Sequence, residues 1–155
     1  MVLFELPVGA NDVKKNVAKA NVATMLDRAH AIRCPGPAAL DIAWVAAGSA
    51  DVFFHSGIHC WDMAAGKCMT IVVTMIPMTT DGRPKRPCCE YESCSLSGVL
   101  LVREAGGSVY GINGDDFDIM GRHCVVAASR ELAMEAIEAI EKYETPREFP
   151  EKCIV

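Results

Sequence analysis

The sequence has no excess of positive charge. Its 15 Lys and Arg against 20 Asp and Glu leave a formal net charge of −5 at pH 7, which gives no electrostatic case for a nucleic-acid partner. The one basic run, Arg83-Pro84-Lys85-Arg86, is short and reads as a solvated turn. Long apolar runs are missing as well. Cys68 to Met78 is the longest, holds two Thr and a Pro, and is too short to cross a bilayer. Met1 to Leu6 is apolar but brief and is broken by Glu5, which argues against a signal peptide. These absences predict a cytoplasmic chain with no membrane partner. None of the eight Cys forms a C-x₂-C pair, so reduced thiols packed as small apolar residues are the default. A zinc site would have to be built on the loose cluster Cys88, Cys89 and Cys94, whose spacing is poor for it. No internal repeat or low-complexity tract is visible.

What is present suits one α/β domain with a modest core: 155 residues, 51% hydrophobic and 23% charged. Val2 to Leu6 reads as a strand and Pro7 to Asn11 as a turn. Asp12 caps a helix from Val13 to Ala31, with Val13, Val17, Ala20, Met25 and Ala29 marking its apolar side. Ile32 to Cys34 is strand-like. Pro37 opens a second helix that runs to Ala47, with Gly48 as its left-handed cap. Leu40, Ala43, Trp44 and Ala47 fall on one side of it, which places Trp44 in the core. Strands follow at Ala50–His55, Ser108–Ile112 and Cys124–Ala128, with Asn113-Gly114-Asp115-Asp116 as a turn. Ser129 caps a last helix whose inner side is Leu132, Ala133, Ala136, Ile137 and Ile140. Pro146 stops it, and residues 144–155 read as a tail.

The chain is organised around Gly57-Ile58-His59-Cys60-Trp61-Asp62-Met63-Ala64-Ala65-Gly66, which follows an apolar strand and opens a helix at Trp61. Asp62 there has two possible jobs. It can cap the helix by accepting a bond from a free backbone N–H, or offer its carboxylate to a hard cation such as Mg²⁺. Gly-Ile-His-Cys-Trp-Asp-x-Ala-Ala-Gly strongly resembles a signature of the inositol monophosphatase family. Further blocks stand in the family's order: Gly36-Pro37-Ala38-Ala39-Leu40-Asp41, Val45 to Asp51, Val102-Arg103-Glu104-Ala105-Gly106-Gly107, Phe117-Asp118-Ile119-Met120 and Val125 to Ser129.

This resemblance, from about Cys34 to Tyr143, implies the C-terminal half of the layered αβαβα sugar-phosphatase fold, incomplete here. It implies Mg²⁺-dependent hydrolysis of inositol monophosphate and assembly as a homodimer. It matches Asp62 to a metal ligand and Trp61 to its packing neighbour. Gly36, Ala38 and Ala39 match the loop that touches the sugar alcohol. Pro37 stands where the family commonly has Ser or Thr, so a hydroxyl contact is lost. His55 occupies a position where a Glu often contacts substrate hydroxyls, but as a histidine it reads as a surface residue.

Two features separate the chain from that pattern. Phosphomonoester hydrolysis by metal ions needs several convergent carboxylates. The family's upstream Glu, its Glu-Glu pair and its Asp-Pro-Ile/Leu-Asp-Gly-Thr motif are all missing. No catalytic set is complete, and activity of the chain alone is in doubt. The alternative is a non-catalytic regulatory or dimerisation fragment. The second feature is Lys67 to Ser97, 31 residues with Pro77, Pro84 and Pro87, which interrupts what is one helix in the family. Gly66-Lys67 and Ser97-Gly98 permit splice-donor and splice-acceptor codons, so the segment reads as a retained in-frame intron or a lineage-specific loop. The phosphatase subdomain is then residues 1–143, interrupted by residues 67–97.

Overall fold

The computed structural model describes residues 1–7, 9–64, 97–143 and 145–146. Its centre is a five-stranded mixed sheet. The strands are β1 (Val2–Phe4), β2 (Ile32–Arg33), β3 (Val52–Ser56), β4 (Ser108–Tyr110) and β5 (His123–Ala127), ordered β2-β1-β3-β5-β4. β1 runs parallel to β2 and β3, with Leu3 level with Phe53, while β5 runs antiparallel to β3 and β4.

Alternation along the strands feeds two cores. Leu3, Phe53, Cys124, Val126 and Val109 point to one side, where they meet Ile42, Val45, Met63, Val99 and Val102. Those residues come from α2 (Ala38–Ala46), α3 (Cys60–Ala64) and α4 (Ser97–Glu104). Val2, Phe4, Val52, Phe54, Val125 and Ala127 point to the other side and meet Met25, Ala133, Ala136 and Ile137. These belong to α1 (Asp12–Arg28) and α5 (Arg130–Ala139). Phe4 and Phe54 stack across the β1–β3 pair with centroids 5.5 Å apart. The result is three layers, helix on sheet on helix, in agreement with the α/β class expected from sequence.

α5 follows its sequence closely. Ser129 Oγ accepts a bond from Leu132 N at 3.3 Å, and the inner side carries Ala133, Ala136 and Ile137. The other long helices differ from expectation. In α1 the cap is Asn11, whose Oδ1 accepts from Lys14 N at 2.9 Å, and Asp12 lies in the first turn. The helix stops at Arg28, and Val13 is 65% exposed. Its buried anchor besides Met25 is Asn21, whose amide exchanges two bonds with the Glu141 backbone, Nδ2 to O at 3.0 Å and N to Oδ1 at 2.6 Å.

In α2 the buried residues are Asp41, Ile42 and Val45, while Leu40 and Trp44 are exposed at 41% and 39%. Trp44 is therefore not a core residue. The reason is Asp41, an acid on the inner side, which an apolar pattern cannot recognise as buried.

Residues 65–96 lie outside the described residues, but Met63 and Gly98 on either side do not. A Cβ on Gly98, in the first turn of α4, would stand 2.7 Å from the carbonyl oxygen of Met63 in α3. Were residues 67–97 removed, Gly98 would be the fourth residue after Met63, the spacing that brings groups together along one helix.

Candidate functional site

The residues singled out by sequence gather at one edge of the sheet. β1, β2 and β3 are parallel and end there, and antiparallel β5 begins there. Glu5 follows β1, Gly36 to Ala39 follow β2, Gly57 to Asp62 follow β3, and Arg122 precedes β5. In open α/β sheets the carboxyl ends of parallel strands are where ligands bind.

Asp62 stands in the only turn of α3 and is half-buried. Its Oδ2 accepts a bond from His59 N at 3.2 Å, and its own N–H donates to His59 O at 3.1 Å. The Asp62 side chain reaches back from the third helical position to the amide of the capping residue, which is the carboxylate half of a capping box. The capping job is thus realised with one oxygen. Among the described residues Oδ1 makes no hydrogen bond, and a metal contact would come through it. Among the same residues no group of three or more His, Cys, Asp or Glu side chains is placed to hold a metal ion. One carboxylate oxygen, and the described residues as a whole, do not by themselves fit a Mg²⁺ site, which needs near-octahedral oxygen coordination.

Gly36 has φ +109° and is exposed, and its N–H donates to Glu5 Oε1 at 2.9 Å. Ala38 and Ala39, half-buried, form the first turn of α2 after Pro37, which supplies no side-chain cap. α2 and α3 pack on the same side of the sheet, which brings the Gly36 loop and Asp62 into one neighbourhood.

Behind that loop sits an acidic pair. Asp41 is 0% exposed and both its oxygens lack a hydrogen-bond partner among the described residues. Burial, then the Glu5 carboxyl beside it, push its carboxyl up to about 7. Burial, then the same two acids, also raise the Cys34 thiol.

His55 is not a surface residue. Its Nδ1 is shielded from water and has no hydrogen-bond partner among the described residues. Its imidazole is held neutral, pushed down to about 4 by burial and then by the charges of Lys14, His59 and Arg122. It lines a cleft of about 60 Å³ with Glu5, Lys14, Ser56 and Tyr143. That is room for roughly two waters, so the cleft does not enclose a sugar alcohol.

Two cations that sequence reasoning missed, Lys14 and Arg122, meet at Gly57. A Cβ on Gly57, which has φ +99°, would overlap Lys14 Nζ. The Arg122 guanidinium donates to Gly57 O at 3.3 Å and lies 3.4 Å from His59 Nε2. Arg122 O in turn accepts from Gly57 N at 2.6 Å. Arg122 holds φ +59°, the only left-handed non-glycine backbone among the described residues, a conformation that costs about 1–2 kcal/mol. Thr145, placed in the tail by sequence, has its hydroxyl beside the same point and buried without a partner among the described residues. The sequence gives no signal for this meeting, because Lys14 and Arg122 come from opposite ends of the chain.

Burial of His55 and Cys124, whose thiol is pushed up to about 12 by burial, leaves neither group charged near neutral pH. Among the described residues, Cys34 is exposed, Cys60 half-buried and Cys124 buried, all as free thiols; the other cysteines, and with them the zinc alternative, lie outside. No helix among the described residues is long and apolar enough to cross a membrane.

Residues 6–72 match the sequence model of the inositol monophosphatase family. The chain is 30% identical over 135 residues to inositol monophosphatase 1 of Xenopus laevis, covering 86% of this chain and 36% of that protein. It is 26% identical over 142 residues to inositol monophosphatase 2 of Homo sapiens, covering 91% of this chain and 38% of that one. Among solved structures it is similar to the extragenic suppressor protein suhB of Bartonella henselae, with a TM-score of 0.64 at 21% identity over 91% of this chain and 41% of that one. The inositol monophosphatase of Anabaena matches with a TM-score of 0.59 at 20% identity, covering 90% and 43%. The fold is therefore that of these phosphatases, and the chain spans little more than a third of the length of the curated relatives named here.

Proposed function

Since this chain belongs to the inositol monophosphatase family, we propose that it supplies one wall of a Mg²⁺-dependent inositol-phosphate phosphatase site, with Asp62 as one metal ligand. The observation that carries this reading is the placement of Asp62. Its Oδ2 is pinned to the His59 amide, which fixes the carboxylate where the parallel strands end, on the side of the sheet that carries α2. In this reading Gly36, Ala38 and Ala39 bound the sugar alcohol. Mg²⁺, where bound, would neutralise the phosphate and activate water. The chain's own residues orient one carboxylate and shape the polyol wall; the remaining carboxylates come from polypeptide that this sequence does not contain.

Charge neutralisation and positioning are nearly all of this catalysis, and one carboxylate cannot supply them. Purified chain should therefore release no phosphate from inositol monophosphate with Mg²⁺ above background. Release that disappears in Asp62→Asn would overturn the account of the missing ligands. Adding the carboxylate-bearing family motifs upstream on the same polypeptide should create activity, and Asp62→Asn should remove it. Activity of the joined protein untouched by Asp62→Asn would remove Asp62 from the metal site.

A second reading rests on a separate observation. Leu6, Val13 and Leu26 on and beside α1 are 52%, 65% and 69% exposed. Exposed apolar residues favour association, and this suits a regulatory or dimerisation role beside a full-length subunit. Sedimentation of the chain with and without such a subunit separates the two roles.

A further inference from the structure

We propose that Lys14, Arg122 and His55 form a subsite for a tetrahedral oxyanion, so that the ligand of this site carries a second anionic group besides the phosphate to be hydrolysed. This deepens the phosphatase reading and rests on it for the word substrate, but not for the binding itself.

Lys14 and Arg122 both approach Gly57, one by its ammonium and one by its guanidinium. Among the described residues the ion pairs are Met1 with Asp51 and Lys15 with Asp12, so neither of these two cations is neutralised there. Holding like charges together in partial shelter from water is unfavourable, and it lowers the affinity of Lys14 for its proton, through burial and then Arg122. A fold keeps such an arrangement cheaply when an anion completes it.

Three donor-capable groups around the same point have buried atoms without partners among the described residues: Arg122 Nε, His55 Nδ1 and Thr145 Oγ1. Buried polar atoms are ordinarily satisfied, and one oxyanion can accept from all three kinds of donor. Guanidinium and ammonium are the groups that recognise phosphate, by fork and by point charge. The left-handed backbone of Arg122 adds a further sign, since such conformations cluster where a side chain must be aimed.

The site excludes a bare polyol hydroxyl as its preferred occupant. A hydroxyl would leave two cations uncompensated. The nearest acid lining the cleft, Glu5, is engaged with Gly36 N and crowded by Asp41. The substrate class is then a bisphosphorylated polyol or another ligand with two separated anionic groups.

The test uses the full chain, without divalent cation and with chelator present, titrated with inorganic phosphate by calorimetry and by NMR of the histidine rings. Saturable one-to-one binding is expected, with the His55 proton affinity rising from its low starting value as phosphate fills the site. Lys14→Met and Arg122→Met should each weaken binding about tenfold or more, and Lys14→Arg should restore most of it. Asp62→Asn should bind phosphate as the parent does, because no metal takes part. No saturable binding, or equal binding by Lys14→Met, Arg122→Met and parent with all three shown folded by melting, would overturn the proposal. Failure of the phosphatase reading shows elsewhere, as metal-dependent turnover that does not depend on Asp62. In the joined, active protein, a bisphosphorylated polyol should show a KM about tenfold below that of the monophosphate, and Lys14→Met should erase that difference.

Discussion

The two ends of the site edge solve one electrostatic problem with opposite signs. At one end Glu5 and Asp41 are two acids held together; at the other, Lys14, Arg122 and His55 are three basic groups held together. Burial makes either crowd costly. The acidic end relieves the cost by keeping a proton on Asp41, up to about 7. The basic end relieves it by keeping a proton off His55, down to about 4. The charges that could neutralise one another across the cleft do not meet: Glu5 is spent on Gly36 N, while Lys14 leans over the Tyr143 ring at 5.6 Å. Charge separation of this kind is kept for a ligand more often than for stability.

The largest expected break in the comparison comes from the acidic end. Native Asp41 binds its proton more tightly than the unfolded chain does. Its stabilising contribution is complete below pH 3.8, the ordinary carboxyl value, and is lost as pH rises through about 7. Asp41→Asn removes a buried, unpaired charge that Glu5 repels, and should gain on the order of 1–3 kcal/mol when urea melts are run about one unit above that pKa. A variant no more stable than the parent there would show that Asp41 is not strained by charge.

Gly57→Ala strikes the basic end. Its φ of +99° disfavours a side chain, and the added Cβ displaces Lys14. A loss of about 1–2 kcal/mol is expected, with Lys14→Ala in the same chain recovering part of it. Equal losses in both backgrounds would mean that backbone strain accounts for all of it.

His55→Gln tests the opposite titration. The unfolded chain binds the His55 proton more tightly, so stability from this group is complete above 6.5 and falls as pH drops toward about 4. Parent stability should be comparatively flat across this interval, because Asp41 and His55 pull in opposite directions. His55→Gln should leave a curve that rises on acidification, and Asp41→Asn one that falls, each by about 1.4 kcal/mol per pH unit at most. A parent curve already steep in either direction would show that one end dominates. Lys14→Met should have the smallest effect, a gain of roughly a few tenths of a kcal/mol, accompanied by a higher His55 pKa in NMR titration.

Sequence made the sheet and α5 legible because their inner residues are apolar at a regular period. α1 and α2 were rotated out of place for one physical reason. Each buries a polar residue, Asn21 tied to the Glu141 backbone and Asp41 beside Glu5. A reading by apolarity assigns such residues to solvent and pulls Val13, Leu40 and Trp44 inward. At the site, the capping bond of Asp62 is legible because it is local to the turn His59–Asp62, while its role as a metal ligand rests on resemblance to the family. Gly36, Ala38 and Ala39 rest on resemblance to the family, and the structure places them at the same edge of the sheet as Asp62. The basic end was not legible, because it is assembled from α1, β3 and the turn before β5, and no local pattern spans that distance. His55 reads as a surface residue in the sequence because its burial depends on those same distant partners.

The closeness of Met63 O to Gly98 makes the junction between α3 and α4 a port in the architecture. The chain departs from the core that holds Met63 and Val99 and rejoins it at nearly one point, so the length of what is threaded between can change without moving any strand. Loop closure there costs only about 0.6 kcal/mol for each doubling of length. Deleting Lys67–Ser97 should fuse α3 and α4 into one uninterrupted helix with a small gain in stability, seen as a higher melting temperature. Replacing the same stretch with a foreign domain whose own termini lie together should leave the sheet's amide-exchange protection unchanged. The junction is thus a place where a reporter, or evolution, can add mass without redesigning the phosphatase scaffold.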